Sequence, residues 1–229
     1  MISVITSTMR EHLIDAVFDN FTSQKWEEKE LIIILNKDNM DIKLWKRRAK
    51  EFEKISVYQL PEDVTVGECQ NFGVNKAKYP IIAKFDDDDY YSPYYLKGQV
   101  KALKNKGAHI VGKRDCFYYL EAKNALVKTT FNKQNQFVNK VTDSSLMFRK
   151  EIFDHVQFPK HNKSFDRFFQ EQCYKKGFKI YSTDRYNYTV VRRADKHTHT
   201  WQIPDEKLKR FSTNVKILND YKSYVTKPL

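Results

Sequence analysis

The first half of the chain alternates short β-branched runs with one-faced helical stretches, and this rhythm constrains the fold more than any other feature. ISVITS, residues 2–7, is strand-like, and the stretch behind it places Leu13, Ile14, Val17, Phe18 and Phe21 on one helical face. KELIIILN is a nearly continuous apolar run of strand length, as expected for a parallel strand covered on both faces. DIKLWKRRAKEFEK sets Ile42, Trp45, Ala49 and Phe52 on one stripe, ISVYQL reads as a third strand, residues 67–78 as a helix and PIIAKF as a fourth strand. Strands and helices alternating at this length predict βαβ units: an α/β fold with a mostly parallel central sheet flanked by helices and right-handed crossovers.

The fourth strand runs straight into four aspartates, Asp86 to Asp89, within KFDDDDYYSPYYL. Behind them Ser92 is a good N-cap and Pro93 suits a first helical turn, which predicts a helix over residues 93–105 and places the acids in a strand-to-helix loop. In open α/β sheets such loops, at the carboxyl ends of the strands, are where ligands bind. Adjacent carboxylates repel one another, and a hard divalent cation with oxygen ligands relieves that repulsion. A plainer reading stands beside it: one or two acids favour the positive end of the helix dipole. The glycine and closing glutamate of an EF-hand are absent.

The second half is less regular. AHIVGK, CFYYLEA and ALVKTTF read as short strands, SSLMFRKEIFDHV as a strand running into a helix, and FDRFFQEQCYKKGF as an amphipathic helix stopped by Gly177. KIYSTDRYNYTVVRR is strand-like, and residues 205–229 carry Leu208, Phe211, Val215 and Leu218 at helical spacing, predicting a C-terminal helix. With no linker and no internal repeat, the expectation is one domain over residues 1–229. Residues 1–105 form its nucleotide-binding half and residues 106–204 a smaller, mixed acceptor-side half.

Composition narrows the function classes. The formal charge of +12 invites a nucleic-acid reading, yet the lysines are scattered and face nearby acids, as in KWEEKE, which describes solvated helix surface. No nucleic-acid motif accompanies them, and the positive balance suits an anionic small molecule or an anionic envelope polymer instead. Cys69, Cys116 and Cys173 lie far apart, without zinc or disulfide spacing. No run reaches the ~20 apolar residues of a membrane span, and Met1 leads straight into ISVITS without a signal core, so the expected compartment is the cytoplasm.

Taken in order, the blocks ISVITST, ELIIILNKDN, GECQNFGVNKAKYPIIAKFDDDDYYSPYYL, SSLMFRKEIF and SFDRFFQEQCYKKGFKIY resemble family-two glycosyltransferases of the nucleotide-sugar GT-A fold over residues 2–201. The resemblance implies a metal-dependent, inverting transferase. It would move a sugar from a nucleotide-diphosphate donor, UDP-linked by preference, to a carbohydrate or polyol hydroxyl in cell-envelope or surface polysaccharide synthesis. By register against Pro93, Asp86, Asp87 and Asp88 fall on the family's Asp-x-Asp motif, with Asp88 as the ligand of Mn²⁺ or Mg²⁺. Thr6, Ser7, Thr8, Asn36 and Asp38 fall where relatives cradle base and ribose, although LNKDN replaces a common acidic pair. Asn71 falls on a nucleotide-facing helix in which Gln70 replaces the usual arginine.

Asp166 in SFDRFF resembles the family's general base, with Phe165 where a first acid often stands; its plainer reading is a cap or first-turn acid on the helix ending at Gly177. His199, in preference to His197, fits a histidine that completes the metal shell, and Trp201 either stacks on a sugar or packs in the core. Two other classes compete. A nucleotidyltransferase requires a glycine-rich loop that STMREH lacks, and a non-catalytic carbohydrate- or nucleotide-binding module would explain the departures at Asn36, Gln70 and Phe165.

Overall fold

The structure is a computed structural model that describes residues 1–194, 208, 210–218 and 220–229. The expected alternation is present. Strand β1 (Ile2–Thr8) is followed by α1 (Ile14–Thr22), β2 (Lys29–Leu35), α2 (Ile42–Ala49), β3 (Ile55–Gln59), α3 (Val66–Lys76) and β4 (Ile81–Lys84). β1 pairs in parallel with both β2 and β4, and β2 with β3. Both faces of this unit are covered. Val4, Leu31, Ile33 and Ala83 point into one apolar cluster, and Ile5, Ile32, Ile34 and Ile82 into another. A strand buried on both faces needs apolar residues at successive positions, which is why KELIIILN has no polar alternation.

The sheet then departs from a purely parallel pattern. β10 (Met147–Arg149) runs antiparallel between β4 and β6 (Ile110–Gly112), and β11 (Ile180–Ser182) and β9 (Gln136–Val138) complete eight strands in the order β3-β2-β1-β4-β10-β6-β11-β9. A second sheet of five strands, β13-β8-β7-β12-β5, is built from β5 (Tyr90–Tyr91), β7 (Phe117–Leu120), β8 (Ala125–Thr129), β12 (Tyr188–Arg192) and β13 (Ser212–Ile217). The acidic quartet is the seam between the two sheets, leaving the large one at β4 and entering the small one at β5.

Three expectations are corrected. The helix after the quartet, α4, spans Tyr95–Asn105, and Ser92 does not cap it; its Oγ donates to Asn187 Oδ1 at 2.7 Å. Pairing of Tyr90 and Tyr91 with β12 carries the chain into the small sheet before it can turn helical. KIYSTDRYNYTVVRR is two strands in different sheets, broken at Asn187, whose φ of +69° is tolerated by asparagine. The predicted C-terminal helix is instead strand β13, which pairs antiparallel with β8, and a short helix α6 (Tyr221–Val225). The alternating β-branched residues Thr213, Val215 and Ile217 favour the strand, and a bulge at Asn214/Lys216 accommodates the spacing that resembled a helix.

Helix α3 fixes the approach to α5 (Phe165–Lys175). A capping box of Thr65 and Glu68 starts α3. Gly67 lies so close to the following loop that a Cβ there would meet the Pro159 carbonyl oxygen at 2.0 Å, while its N–H donates to His161 O at 3.1 Å. This contact anchors the loop that delivers the N-terminus of α5. Among the described residues no helix is long and apolar enough to cross a membrane.

Candidate active site

The C-terminal ends of β1 and β4 lie side by side because the strands are parallel, so residues just past each meet. Thr8 Oγ1 donates to Asp87 Oδ2 at 2.5 Å and accepts from Arg10 N at 3.0 Å. The Arg10 guanidinium grips Asp87 through Nε, at 3.0 Å, and through Nη2, and donates to Asp88 Oδ2 through Nη1 at 2.7 Å. Burial alone would lower the arginine, but Asp87 and Asp88 outweigh it and hold the cation charged. Burial pushes Asp87 above its ordinary value, with Arg10 pulling the other way. Arg10 was not singled out in the sequence; the available signal was one cation two residues beyond the strand that neighbours the acids.

The four carboxylates have four different environments. Asp89 is buried, accepts from Tyr188 Oη at 2.6 Å and Val191 N at 3.1 Å, and is held well above the usual carboxylate range by burial and then by the charges of Asp88 and Asp86. Its peptide oxygen accepts from Asn20 Nδ2 at 2.9 Å, which fixes the turn. Beneath the turn Phe85 stacks on Tyr91 with ring centroids 3.8 Å apart. Side-chain exposure falls from 37% at Asp86 and 15% at Asp88 to 3% at Asp87. The two less buried carboxylates are therefore alternate ones, Asp86 and Asp88, while Asp87 and Asp89 hold the loop. Repulsion within the quartet is relieved from inside the chain by Arg10 and Lys84 as well as by hydrogen bonds.

Lys84, the last residue of β4, is buried and turns to the opposite side of the loop. Its Nζ donates to Asp86 Oδ1 at 2.5 Å and lies 3.4 Å from Asp166 Oδ2. Burial would discharge this lysine, but Asp166 and Asp86 raise it above its ordinary value. Asp166, in the first turn of α5, is buried, and its Oδ1 has no hydrogen-bond partner among the described residues. Burial pushes its carboxyl well above the usual range despite Lys84. Asp143 joins the group: it accepts from Gln170 Nε2 at 2.9 Å and is pushed up to about 6 by burial. Ser164, at φ +58°, starts α5 without a side-chain cap, and Asp166 is an acid of its first turn, not its cap.

The remaining expected site residues are placed as follows. Thr6 is buried in β1, and Ser7, next along the strand, is half-buried. Asn36 donates through Nδ2 to the carbonyls of Pro61, at 2.8 Å, and Val64, at 3.1 Å, while Asp38 Oδ1 accepts from Glu62 N at 3.2 Å. Asn71 donates to Phe158 O at 2.9 Å and accepts from Phe158 N at 3.0 Å, so both ends of its amide hold the loop that leads to α5. His197, His199 and Trp201 lie outside the described residues. Among the described residues no cluster of three His, Cys, Asp or Glu side chains converges as a metal site. The carboxylates of Asp86 and Asp88 have the hard oxygen donors that Mn²⁺ or Mg²⁺ takes, with Lys84 now on one Asp86 oxygen and Arg10 on one Asp88 oxygen.

Two sheets joined at an acidic loop, with a buried aspartate across from it, define the GT-A class of nucleotide-sugar transferase folds. The chain belongs to glycosyl transferase family 2, whose pattern matches residues 3–169. It is 28% identical over 162 residues to the O-antigen biosynthesis glycosyltransferase WbnJ of Escherichia coli, covering 66% of this chain and 63% of that protein. Solved structures resemble it as a fold. S. aureus TarS 1-349 in complex with UDP-GlcNAc superposes with a TM-score of 0.66 at 16% identity, over 91% of this chain and 63% of that one. The mannosyltransferase PcManGT from Pyrobaculum calidifontis, in complex with GDP-Man and Mn²⁺, gives 0.63 at 16% identity, over 86% and 58%. The chain thus spans less than two thirds of the length of these relatives.

Proposed function

We propose that this chain transfers a sugar, with inversion, from a nucleotide-diphosphate donor, UDP-linked by preference, to a hydroxyl of an envelope or surface polysaccharide. The observation that carries the reading is the juxtaposition, through Lys84, of the partly exposed carboxylate of Asp86, in a loop that also carries Asp88, with the buried, half-unpartnered carboxylate of Asp166. WbnJ's role in O-antigen synthesis and the UDP-GlcNAc and GDP-Man bound by TarS and PcManGT support the substrate classes.

Asp166 is the general base. Its free Oδ1 accepts the proton of the acceptor hydroxyl as that oxygen bonds to the anomeric carbon and the bond to the diphosphate oxygen breaks, releasing a nucleoside diphosphate. A positioned base of this kind contributes ~10² to 10⁴ in rate. Lys84 pulls Asp166 towards the ionised form, against burial that favours the neutral acid and has the larger effect. Thr8 and Arg10 hold Asp87, and with it the loop, so that Asp86 and Asp88 face the donor. A divalent ion held at Asp88, with His199 as a further ligand, would supply positive charge for the departing diphosphate.

A thermal-shift screen of nucleotide sugars with and without Mn²⁺ tests the reading, because a ligand that binds the native state alone raises its apparent stability. Stabilisation by one nucleotide sugar, followed by its turnover with a glycan acceptor, supports it. Binding without turnover would favour the non-catalytic module.

A further inference from the structure

A second concave site lies beyond the acceptor side, at the far edge of the large sheet, with a volume of about 490 Å³. Phe137 comes from β9, Phe131 and Lys133 from the chain after β8, Arg114 from the chain after β6, and Tyr174 from the last turns of α5. Phe137 and Tyr174 are 52% and 55% exposed, an unfavourable placement for rings that serve only the fold. The Arg114 guanidinium lies over the Phe131 ring, 4.0 Å from its centroid. No carboxylate among the described residues pairs with the side chain of Arg114 or Lys133 in a salt bridge. The neighbouring acid, Asp115, is fully buried and accepts instead from Thr129 Oγ1 and from the N–H groups of Phe131 and Lys133, at 3.1, 2.8 and 2.6 Å, shaping the loop that presents both residues.

Exposed rings offer the flat apolar surface on which the C–H face of a pyranose packs, and a planar arginine beside a lysine recognises a carboxylate or phosphate. The volume suits one or two sugar rings. Tyr174 follows Asp166 by eight positions on α5, about 12 Å along the helix axis. That is the reach of a few linked sugars. We propose that this cleft binds an anionic sugar unit of the acceptor, a few units inward from the hydroxyl that reacts. The cleft's role in the reaction rests on the transferase reading; its ligand chemistry does not.

The test is saturation-transfer NMR on the full chain with glucuronic acid, glucose 6-phosphate and glucose, and with UDP plus Mn²⁺ measured separately. Glucuronic acid or glucose 6-phosphate is expected to bind in preference to glucose, and the tighter of the two identifies the anion. Phe137→Ala and Lys133→Glu, both at exposed positions, should each weaken that binding about fivefold or more while leaving UDP binding unchanged. Equal binding of glucose, anionic-sugar binding indifferent to both substitutions, or preference for phosphatidylglycerol vesicles over the sugars would overturn the assignment. UDP binding without sugar binding sinks the cleft alone. Sugar binding without UDP binding leaves the cleft standing and sinks the transferase reading.

Discussion

Lys84 Nζ lies 3.4 Å from Asp166 Oδ2, joining the end of the fourth strand to the first turn of α5 across the mouth of the candidate site. The pair is buried on both sides, and the same ammonium also holds Asp86. One buried cation thus links the acidic loop to Asp166, and its removal should be felt in both stability and chemistry.

Lys84→Met tests that link. Removing one partner of a buried ion pair costs about 3–5 kcal/mol, because the remaining charge is left uncompensated. Urea denaturation should show a loss of that order at pH 8. The loss should shrink towards acid pH, where Asp166, already raised by burial, takes up a proton and needs no partner. An equal loss at both ends of the range would show that Lys84 contributes by packing alone.

Asp166→Asn keeps the shape and removes the base. Donor binding and folding should survive while transfer falls by ~10² or more. Stopped or continuous assays of nucleoside diphosphate release, beside a UDP titration, separate the two effects. Unfolding of the variant would assign Asp166 to the architecture of α5.

Asp143→Asn gives a pH signature. The folded carboxyl is pushed up to about 6, above its unfolded value, so the protonated form is the one the fold favours. Wild-type stability from this group is intact below the unfolded value near pH 4 and is lost as pH rises through about 6. The variant should therefore match wild type at low pH and exceed it at neutral pH, by on the order of 1 kcal/mol once partial solvation is allowed for. Because the Asp143 charge also raises Asp166, the acid limb of transfer should move to lower pH in the variant.

Asn71→Ala leaves the Phe158 N–H and carbonyl without their amide partner, at a cost of about 1–3 kcal/mol. Chemical denaturation should register that loss with UDP affinity unchanged. A loss of UDP affinity at unchanged stability would instead return Asn71 to the nucleotide.

Much of the first half of the chain was legible because its strands are buried on both faces, and that burial writes itself into successive apolar residues such as Ile32, Ile33 and Ile34. The loop position of Asp86 to Asp89 followed from the strand before it. What stayed hidden depends on contacts distant in sequence. Ser92 is a cap by local rules, but its Oγ accepts from Tyr94 N, at 3.3 Å, ahead of the helix, and donates to Asn187, 95 residues away. Phe211, Val215 and Leu218 have helical spacing, yet the residues between them, Ser212 to Asn214 and Lys216 to Ile217, pair with β8. The roles of Arg10 and Lys84 could not be read from composition, because a lysine in an apolar strand becomes informative only when the acids it meets are known.

The most direct test of the central claim is isothermal titration of UDP into wild type and Asp88→Asn, each with and without Mn²⁺. The account predicts manganese-dependent binding in the wild type, weakened at least about tenfold by the substitution. UDP binding that ignores both manganese and the substitution, or no binding at all, would contradict it.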